Sequence, residues 1–545
     1  MRKILFATLL LSSLVPAQEP TRVGVSVTQK KLTLSEALET ALKGNLEIEI
    51  ERTSVASAQL AVKAAQGAYD GLFRWLPSID SRTTPTPSIL LGAGGKLEET
   101  ALVQNFSYQQ KLPWHGAAFY AGFDNSRQTT TNPFTGLTPY YSSRMSLQFS
   151  QPLLRGWKTD SYRTELKLRS KNTQISLLDL ELKAIDVVAR VEQSYWNLVA
   201  ARQDVQVQGD GVKLAQEQLD RTRRMIASGT LASVEIAAAE AELERRKDNH
   251  LSSIGVLAEA ENAFKLLLSA HRSEEIWTDA IIPLEERTVD FASSDDLQQA
   301  VAAAMDKRAE LRQLAMRKQN NDVQKDLATD QLKPQMNLVA SYSAAGLSGT
   351  QSDIVNPFTQ SSIATLQRIN QLSALQGIAP LPPASGGGIP LAFLGGYPTS
   401  ISNLFHGGFP TLQAGVSFDW TTRNRAAEAG LGQAVVGERR LKLERDRLEQ
   451  AIAAQVRNAM QSLTTSRQRI LAAEASEHAA KEKLESEIRL FQSGESTNFL
   501  VLTRQNEFSD SRRRVVVARL DFNKAVSRLR QSIGTTLEAH NLHVQ

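Results

Sequence analysis

The sequence predicts a mainly α-helical chain that also carries strands of a transmembrane β-barrel and is built from two duplicated halves. Three observations carry this prediction: a pattern of elements that occurs twice, long stretches with an apolar residue at every seventh position, and segments of about ten residues in which apolar and polar residues alternate. A strict seven-residue repeat is typical of left-handed coiled coils. Alternation over about ten residues fits a tilted barrel strand.

The composition excludes several classes of protein. The chain has 545 residues, of which 41% are hydrophobic, and its 62 Lys and Arg residues nearly balance 58 Asp and Glu residues. We therefore expect no nucleic-acid partner, because the basic field that attracts phosphates is missing. The absence of cysteine excludes disulfides, thiolate zinc sites and cysteine nucleophiles.

The first 17 residues have the three parts of a secretory signal peptide. Arg2 and Lys3 form a basic end, residues 4–11 are an apolar run, and Val15 and Ala17 are small residues before a cleavage point. We therefore expect a signal peptide at 1–17. No other segment approaches the roughly 18 consecutive apolar residues that a membrane helix needs.

The remaining sequence is a tandem duplication. We place the first repeat at 18–290 and the second at 291–545, each with a helix, strands and a long helical hairpin. Two groups of matching positions recur at nearly the same displacement. Matching pairs are Leu34 and Leu297, Ala37 and Ala300, Val191 and Val456, Leu198 and Leu463, Leu219 and Leu484, and Gly229 and Gly494.

Each repeat contains one very long helical stretch. Residues 162–228 include no proline, and at 1.5 Å per residue they would form a rod of about 100 Å. In the second repeat Glu477 is the one polar interruption of the seven-residue period. The apolar residues on that period are Leu177, Ala184, Val191, Leu198, Val205, Val212, Leu219 and Ile226, and then Val456, Leu463, Ile470, Leu484 and Phe491. A Ser-Gly pair follows each stretch, which predicts a turn because glycine tolerates the left-handed conformation that ends helices.

Alternating segments predict the strands. They are clearest at 335–344 and 411–420, and also occur at 145–150. The pattern alone also fits a soluble sandwich with one wet face, but secretion, duplication and coiled-coil rods favour a barrel. Residues 345–410 are dense in Gly, Pro, Ser and Gln, so we expect a long exposed loop between two strands.

In this order of elements the chain resembles the TolC-like outer-membrane efflux protein family, the outer membrane factors, over its mature length. The resemblance rests on an Ala-Leu-rich helix at the start of each repeat, a proline at each strand start, and a glycine followed by an apolar or acidic position at each hairpin turn. Those positions are Leu34 to Glu47 and Leu297 to Leu311, Pro77 and Pro334, Gly229 with Glu235 and Ile236, and Gly494 with Leu500 and Val501.

The resemblance implies a homotrimer in which each chain supplies about four strands to one 12-stranded barrel in the outer membrane. The helices would form a tunnel in the periplasm. The function implied is a passive exit channel of a tripartite efflux or type I secretion system. Its partners would be outer-membrane lipid, a periplasmic adaptor (membrane fusion) protein and an inner-membrane pump of the RND, ABC or MFS type.

Two groups of residues at the hairpin turns are the candidate functional residues. We expect the turns to dock the adaptor through Gly229, Leu231, Ser233, Glu235, Gly494, Thr497 and Leu500. A constriction or salt bridges at the tip would involve Arg221, Arg223, Arg224, Leu500 and Thr503, although such arginines usually lie on solvated helix faces. Some family members carry acidic residues where Leu500 and Thr503 stand, so an acidic selectivity ring is not expected here.

One feature departs from the family pattern. The first repeat has more alternating sequence than two strands require, and Leu112 to Gly116 resembles the turn of an additional hairpin near 102–125. The sequence does not predict where this hairpin lies.

No catalytic chemistry is predicted. The seven histidines form no His-Glu-x-x-His pattern, and His540 with His543 reads as a loose tail rather than a metal site. We expect no enzyme activity, no cofactor and no metal. Two other readings remain open: a secreted periplasmic coiled-coil scaffold or adaptor without a pore, and, with less support, an enzyme that uses dispersed carboxylates.

Overall fold

The computed structural model describes residues 25, 28–87, 95–271, 274–284, 296–354, 357–382, 388–406 and 408–542. The predicted signal peptide, the boundary between 290 and 291, and His543 lie outside these residues. The boundary and the two repeats as domains stay predictions.

The helices and strands occur in a similar order in the two halves of the chain. In the first half the elements are β1 (Gln29–Leu32), α1 (Leu34–Gly44), α2 (Leu46–Gln66), β2 (Leu72–Pro85), β3 (Lys96–Lys111), β4 (Ala118–Thr130), β5 (Leu137–Pro152), α3 (Ser161–Ala227), α4 (Glu235–Leu268) and β6 (Ala280–Pro283). In the second half they are α5 (Leu297–Lys307), α6 (Ala309–Gln331), β7 (Gln335–Gln351), α7 (Pro357–Leu375), α8 (Tyr397–His406), β8 (Pro410–Asp419), α9 (Arg425–Ser493), α10 (Asn498–Ile533) and α11 (Thr536–Ala539).

These elements form two compact units, and each unit draws on both halves. The described parts of 1–58, 172–318 and 440–545 make a helical unit, and those of 59–171 and 319–439 make a sheet unit.

The sheet unit contains one antiparallel sheet of six strands in the order β2-β3-β4-β5-β7-β8. Because residues paired across a sheet share a face, the register gives the composition of each face. One row of paired residues is Phe73, Tyr108, Ala121, Leu147, Tyr342 and Leu412. The next row on the opposite face is Arg74, Ser107, Gly122, Ser146, Ser343 and Thr411. At this level one face is thus apolar across all six strands and the other polar.

The expectation of about four strands per chain is wrong, because the additional hairpin is part of the same sheet. Strands β3 and β4 lie between β2 and β5, so the chain contributes six strands. The turn of this hairpin is held by the start of α3 and by the residues just before it. His115 stacks on Trp157 with ring centroids 4.3 Å apart, and Lys111 Nζ lies 3.4 Å above the ring of Tyr162.

The expectation that 345–410 is an irregular loop is also wrong. Strand β7 continues to Gln351, and the helices α7 and α8 follow before β8. The Gly- and Pro-rich composition concealed α7, whose Ile363, Ile369 and Leu372 are separated by Ser, Thr and Gln. Residues 383–387, which include part of the glycine run, are outside the described residues.

The helical unit is built around α3, α4, α9 and α10. Its largest core cluster joins α1, α2, α3 and α4 through buried residues such as Leu38, Ile48, Val187, Tyr195 and Phe264. The predicted seven-residue seam is buried at most of its positions. It is solvent-exposed at Leu177, and at Glu477 the carboxylate lies 3.9 Å from Arg512 Nε.

Local sequence signals set several helix ends in this unit. Thr33 and Glu36 form a capping box at the start of α1, and Asp296 caps α5 by accepting hydrogen bonds from the backbone of Gln298 and Gln299. Gly534, with a φ of 84°, ends α10.

Two short strands pair across the first half of the chain. β1 and β6 form a parallel pair in which Gln29 faces Ala280 and Leu32 faces Pro283. Thr28 Oγ1 donates a 2.7 Å hydrogen bond to Asp279 beside this pair. Leu32 and Ile281 belong to the core cluster, so the pair is anchored by packing as well as by its ladder.

Among the described helices, none combines the length and the apolar character that crossing a membrane requires.

Candidate functional site

The first hairpin turn, between α3 and α4, is a helix C-cap with the geometry that the Ser-Gly pair predicts. Gly229 has a φ of 74°, its N–H donates to Ile226 O at 2.9 Å, and Thr230 N–H donates to Met225 O at 2.9 Å. These two hydrogen bonds, one enclosed by the other, define a Schellman motif. The Ser228 hydroxyl adds a 2.9 Å hydrogen bond to Met225 O.

The second turn, between α9 and α10, repeats this geometry. Gly494 has a φ of 80°, its N–H donates to Phe491 O at 3.3 Å, and Glu495 N–H donates to Leu490 O at 2.9 Å. Thr497 then caps α10 by accepting from Leu500 N–H. In both halves, therefore, the glycine adopts the left-handed conformation that ends the long helix.

A buried polar chain joins the two hairpins close to the turns. Gln218 Nε2 on α3 donates to Asn498 Oδ1 at 2.8 Å, and Asn498 Nδ2 donates to Glu235 Oε2 on α4 at 3.1 Å. Gln218 and Asn498 are almost completely buried. Glu235, which the sequence assigns to docking, therefore also orients the other hairpin.

The remaining docking residues differ in exposure. Ser233 and Thr497 are exposed, whereas Leu231 is half-buried. Sequence reasoning missed the two most exposed apolar side chains at the turns, Val234 and Phe499, each 72% exposed. The sequence feature that indicates them is an apolar residue beside the start of the second helix of each hairpin, where a turn that faces only water would carry a polar residue.

The arginines near the first turn have different environments. Arg223 Nη2 lies 2.9 Å from Glu240 across the hairpin, in an exposed ion pair. Arg224 is exposed, and Arg221 is half-buried with its Nη1 lacking a hydrogen-bond partner among the described residues. The structure therefore brings one of the three arginines into a salt bridge within the hairpin.

Charges beside the second turn form a compact group. Arg504 Nη1 lies 2.8 Å from Glu507 Oε2, and its Nε lies 3.7 Å from Glu487. The hydrogen bond to Glu507, followed by the charges of Glu507 and Glu487, raises the pKa of Arg504. Glu487 also accepts a hydrogen bond from Ser496 in the turn. Thr503 donates to Phe499 O at 2.8 Å.

Among the described residues, no group of three or more His, Cys, Asp or Glu side chains is placed to hold a metal ion. The description of His540 as part of a loose tail is wrong: its side chain is mostly buried and Nε2 lies 3.7 Å from Glu192. Leu537 and Leu542 pack against the core cluster and hold this segment in place.

Comparison with known proteins gives a domain and a fold. Residues 118–270 match the family model described as outer membrane efflux protein. The comparison with curated sequences gives no match. The structure is similar to the outer-membrane channel OprN, with 12% identity, a TM-score of 0.60, and coverage of 92% of this chain and 89% of that chain.

Two further outer-membrane proteins give the same result. The Campylobacter jejuni CmeC outer membrane channel is 14% identical, with a TM-score of 0.61 and coverage of 92% and 85%. The outer membrane protein VceC from Vibrio cholerae is 11% identical, with a TM-score of 0.59 and coverage of 92% and 96%. The chain therefore has the fold of outer-membrane channels. Because residues 118–270 match the family model, the resemblance to the outer-membrane efflux protein family is confirmed for this domain.

Proposed function

We propose that this chain forms a passive outer-membrane exit channel as a homotrimer. The sheet would close into one barrel with its apolar face toward lipid, and the helical hairpins would enclose a water-filled tunnel in the periplasm. An inner-membrane pump of the RND, ABC or MFS type would deliver cargo through a periplasmic adaptor protein. The chain itself would catalyse no reaction and would hold no cofactor.

The observation that carries the proposal is the sheet with an apolar face and two open edges. Strands β2 and β8 are exposed along almost their whole length and present large apolar side chains, including Trp75, Ile79, Leu412 and Phe418. An unpaired edge cannot face lipid, since its backbone groups would lack hydrogen-bond partners. Pairing β8 of one copy with β2 of the next satisfies both edges.

The strand count sets the size of the proposed barrel. With six strands per chain, a trimer contributes eighteen strands rather than the twelve implied by the family resemblance. Barrel diameter grows with strand number, and barrels of about 16–18 strands leave an aqueous lumen.

The hairpin turns would be the docking surface for the adaptor. Val234 and Phe499 offer exposed apolar contacts beside two rigid glycine turns. In the resting state the buried chain from Gln218 through Asn498 to Glu235 would hold the hairpins together. An adaptor that inserts between hairpins would open the tip.

A periplasmic scaffold or adaptor without a pore is the alternative from another class. It explains the coiled coils but gives no purpose to an apolar face that spans six strands. For a soluble protein of this kind that face would be a large exposed hydrophobic patch.

Native mass spectrometry of the detergent-solubilised protein tests the proposal, together with electron microscopy of the same particles. We expect a trimer with a belt of bound detergent and a central lumen. Urea washing of outer membranes should leave the protein embedded. A monodisperse monomer in the absence of detergent, or release by urea, would overturn the proposal.

Docking is tested separately by replacing Phe499 with Ser, with the exposed Leu471 of α9 replaced by Ser as a matched control away from the turns. We expect weaker binding of the adaptor to the first variant and unchanged trimer assembly in both. Equal adaptor binding by the two variants would argue against docking at this turn.

A further inference from the structure

Helix α8 lies flat on the sheet, over strands β5 and β7. Ser400 is completely buried there, and its Oγ lies 3.0 Å from Ser143 Oγ and 3.1 Å from Gly346 O. Asn403 Nδ2 donates to Leu347 O at 2.9 Å. One side of α8 is thus fixed to the sheet by specific contacts.

Gly346 makes this close approach possible. A Cβ atom at this position would overlap the carbonyl oxygen of Ser400 and would lie 2.6 Å from the backbone nitrogen of Leu404. The Ser348 hydroxyl, two residues along the same strand, donates to Gly396 O at 2.8 Å. The strand is therefore built to receive a helix at this level.

The register places α8 on the apolar face. Ser143 pairs with Gly346, and two residues away on the same face Met145 pairs with Ala344. Phe123 pairs with Met145 and so continues the apolar row. α8 therefore begins where the apolar rows end, on the side of the sheet that the proposed function assigns to lipid.

The sequence around α8 lacks formal charge. From Ile369 to Phe418 it contains no Asp, Glu, Lys or Arg, although 22% of the whole chain is charged. His406 and Tyr397 are the titratable side chains in that segment. A loop that faces only water would be expected to carry charged residues.

The outward side of α8 and its neighbours is apolar and aromatic. Phe405 is 62% exposed, and Leu391, Tyr397 and Phe409 are also exposed. The rings of Phe393 and Phe409 lie 5.9 Å apart, which brings the segment before α8 and the segment after it together. Such residues are enriched at the level where acyl chains meet head groups.

We propose that α8 and the described residues from 388 to 410 form an external collar that rests on the outer leaflet of the membrane. The partner is a lipid surface, contacted at the boundary between acyl chains and head groups. Because the segment has no Lys or Arg, binding would depend on apolar contact and would not select anionic head groups. This inference rests on the proposed function, since it uses the orientation of the sheet in the membrane.

The test uses single cysteines, which the cysteine-free chain permits without further substitution. Phe405→Cys carries a nitroxide in the full-length protein, reconstituted into phosphatidylcholine nanodiscs. Leu412→Cys on the apolar face of β8 and Gln413→Cys on its polar face serve as matched controls. Collisions of each label with oxygen and with a water-soluble nickel chelate are then measured.

We expect the ratio of oxygen to nickel collisions at position 405 to be several-fold above that at 413 and close to that at 412. Adding anionic lipid or salt should leave the ratio at 405 unchanged. A ratio at 405 equal to that at 413 overturns the collar, and so does protection from both reagents, which would mean that another copy of the chain covers α8.

The controls separate the two proposals. If the label at 412 is itself exposed to nickel, the placement of the sheet in lipid fails and the proposed function fails with it. If 412 is in lipid and 405 is in water, only the collar is refuted. Leu391→Cys repeats the measurement at a second exposed site should the first variant fail to assemble.

Discussion

The two turn glycines allow a prediction whose sign depends only on backbone conformation. Gly229 and Gly494 have φ values of 74° and 80°, and a Cβ added at either position would meet no atom within 4 Å. Gly255, on α4, also has open space around it, but its φ lies outside the left-handed region. The substitution Gly→Ala therefore adds the same methyl group to open space at all three positions.

The expected magnitudes follow from the cost of the left-handed conformation. For a residue with a Cβ it is about 1–2 kcal/mol, and alanine recovers about 0.4–1 kcal/mol by restricting the unfolded chain. Gly229→Ala and Gly494→Ala should each destabilise the chain by about 1 kcal/mol. Gly255→Ala should stabilise it by about 1 kcal/mol, because alanine is the better helix former.

Urea unfolding of the detergent-solubilised protein, followed by helical circular dichroism, measures these changes as shifts of the midpoint at constant slope. The two turn substitutions combined should shift the midpoint by the sum of the single shifts, since neither added methyl group meets an atom within 4 Å. Gly229→Asn should recover most of the loss because asparagine tolerates this conformation. If Gly229→Ala and Gly255→Ala shift the midpoint in the same direction, the assigned turn geometry is wrong.

Three further predictions concern individual contacts. Hydrogen bonds from Arg190 and then Lys183 lower the pKa of Glu47 from 4.5 to about 2, so its ion pairs stabilise the fold above pH 4.5 and are lost as the pH falls toward 2. Glu47→Gln should cost about 1 kcal/mol at neutral pH, since the carboxylate is 42% exposed and therefore screened, and urea midpoints of variant and parent should converge at low pH. Lys265 and Glu261 form a buried ion pair 2.8 Å apart. Lys265→Met should lower the free energy of unfolding by about 3 kcal/mol because it leaves the Glu261 carboxylate buried without its partner. Adding Glu261→Gln should recover part of that stability, and a larger loss in the double variant would contradict this. Gly346→Val should detach α8, so that chymotrypsin cleaves within 397–406 while the parent protein resists, and equal resistance would count against the close approach.

The helices and their turns could be predicted from the sequence because their signals are local. The seven-residue period identifies buried positions such as Val191, Val456 and Leu463, and a glycine after serine marks the end of each long helix. The exposure of Leu177 was not predictable in this way. It depends on which neighbour packs beside that part of α3, and the seven-residue period does not specify that neighbour.

Pairings between distant residues were not predictable. The contact between Gln218 and Asn498 joins residues 280 apart in sequence, and neither side chain has a local pattern that indicates its partner. The additional hairpin was recognised by its alternation and its turn. Its place between β2 and β5 is set by register, which composition does not encode.

The segment with α8 illustrates a third reason for failure. Its glycines and prolines were read as signs of irregular structure, yet Gly346 is needed for helix-on-sheet contact. A glycine serves either a flexible chain or a close approach, and the sequence alone does not distinguish the two.

The pairing of β1 with β6 has a consequence for the order in which the protein is assembled. Bringing together strands separated by about 250 residues costs roughly 5 kcal/mol of chain entropy, which a ladder of four residues cannot recover by itself. The pair can form only after the intervening helices have packed and carried its ends together. The β1–β6 pair therefore forms late in folding, after the other elements of the first half have packed.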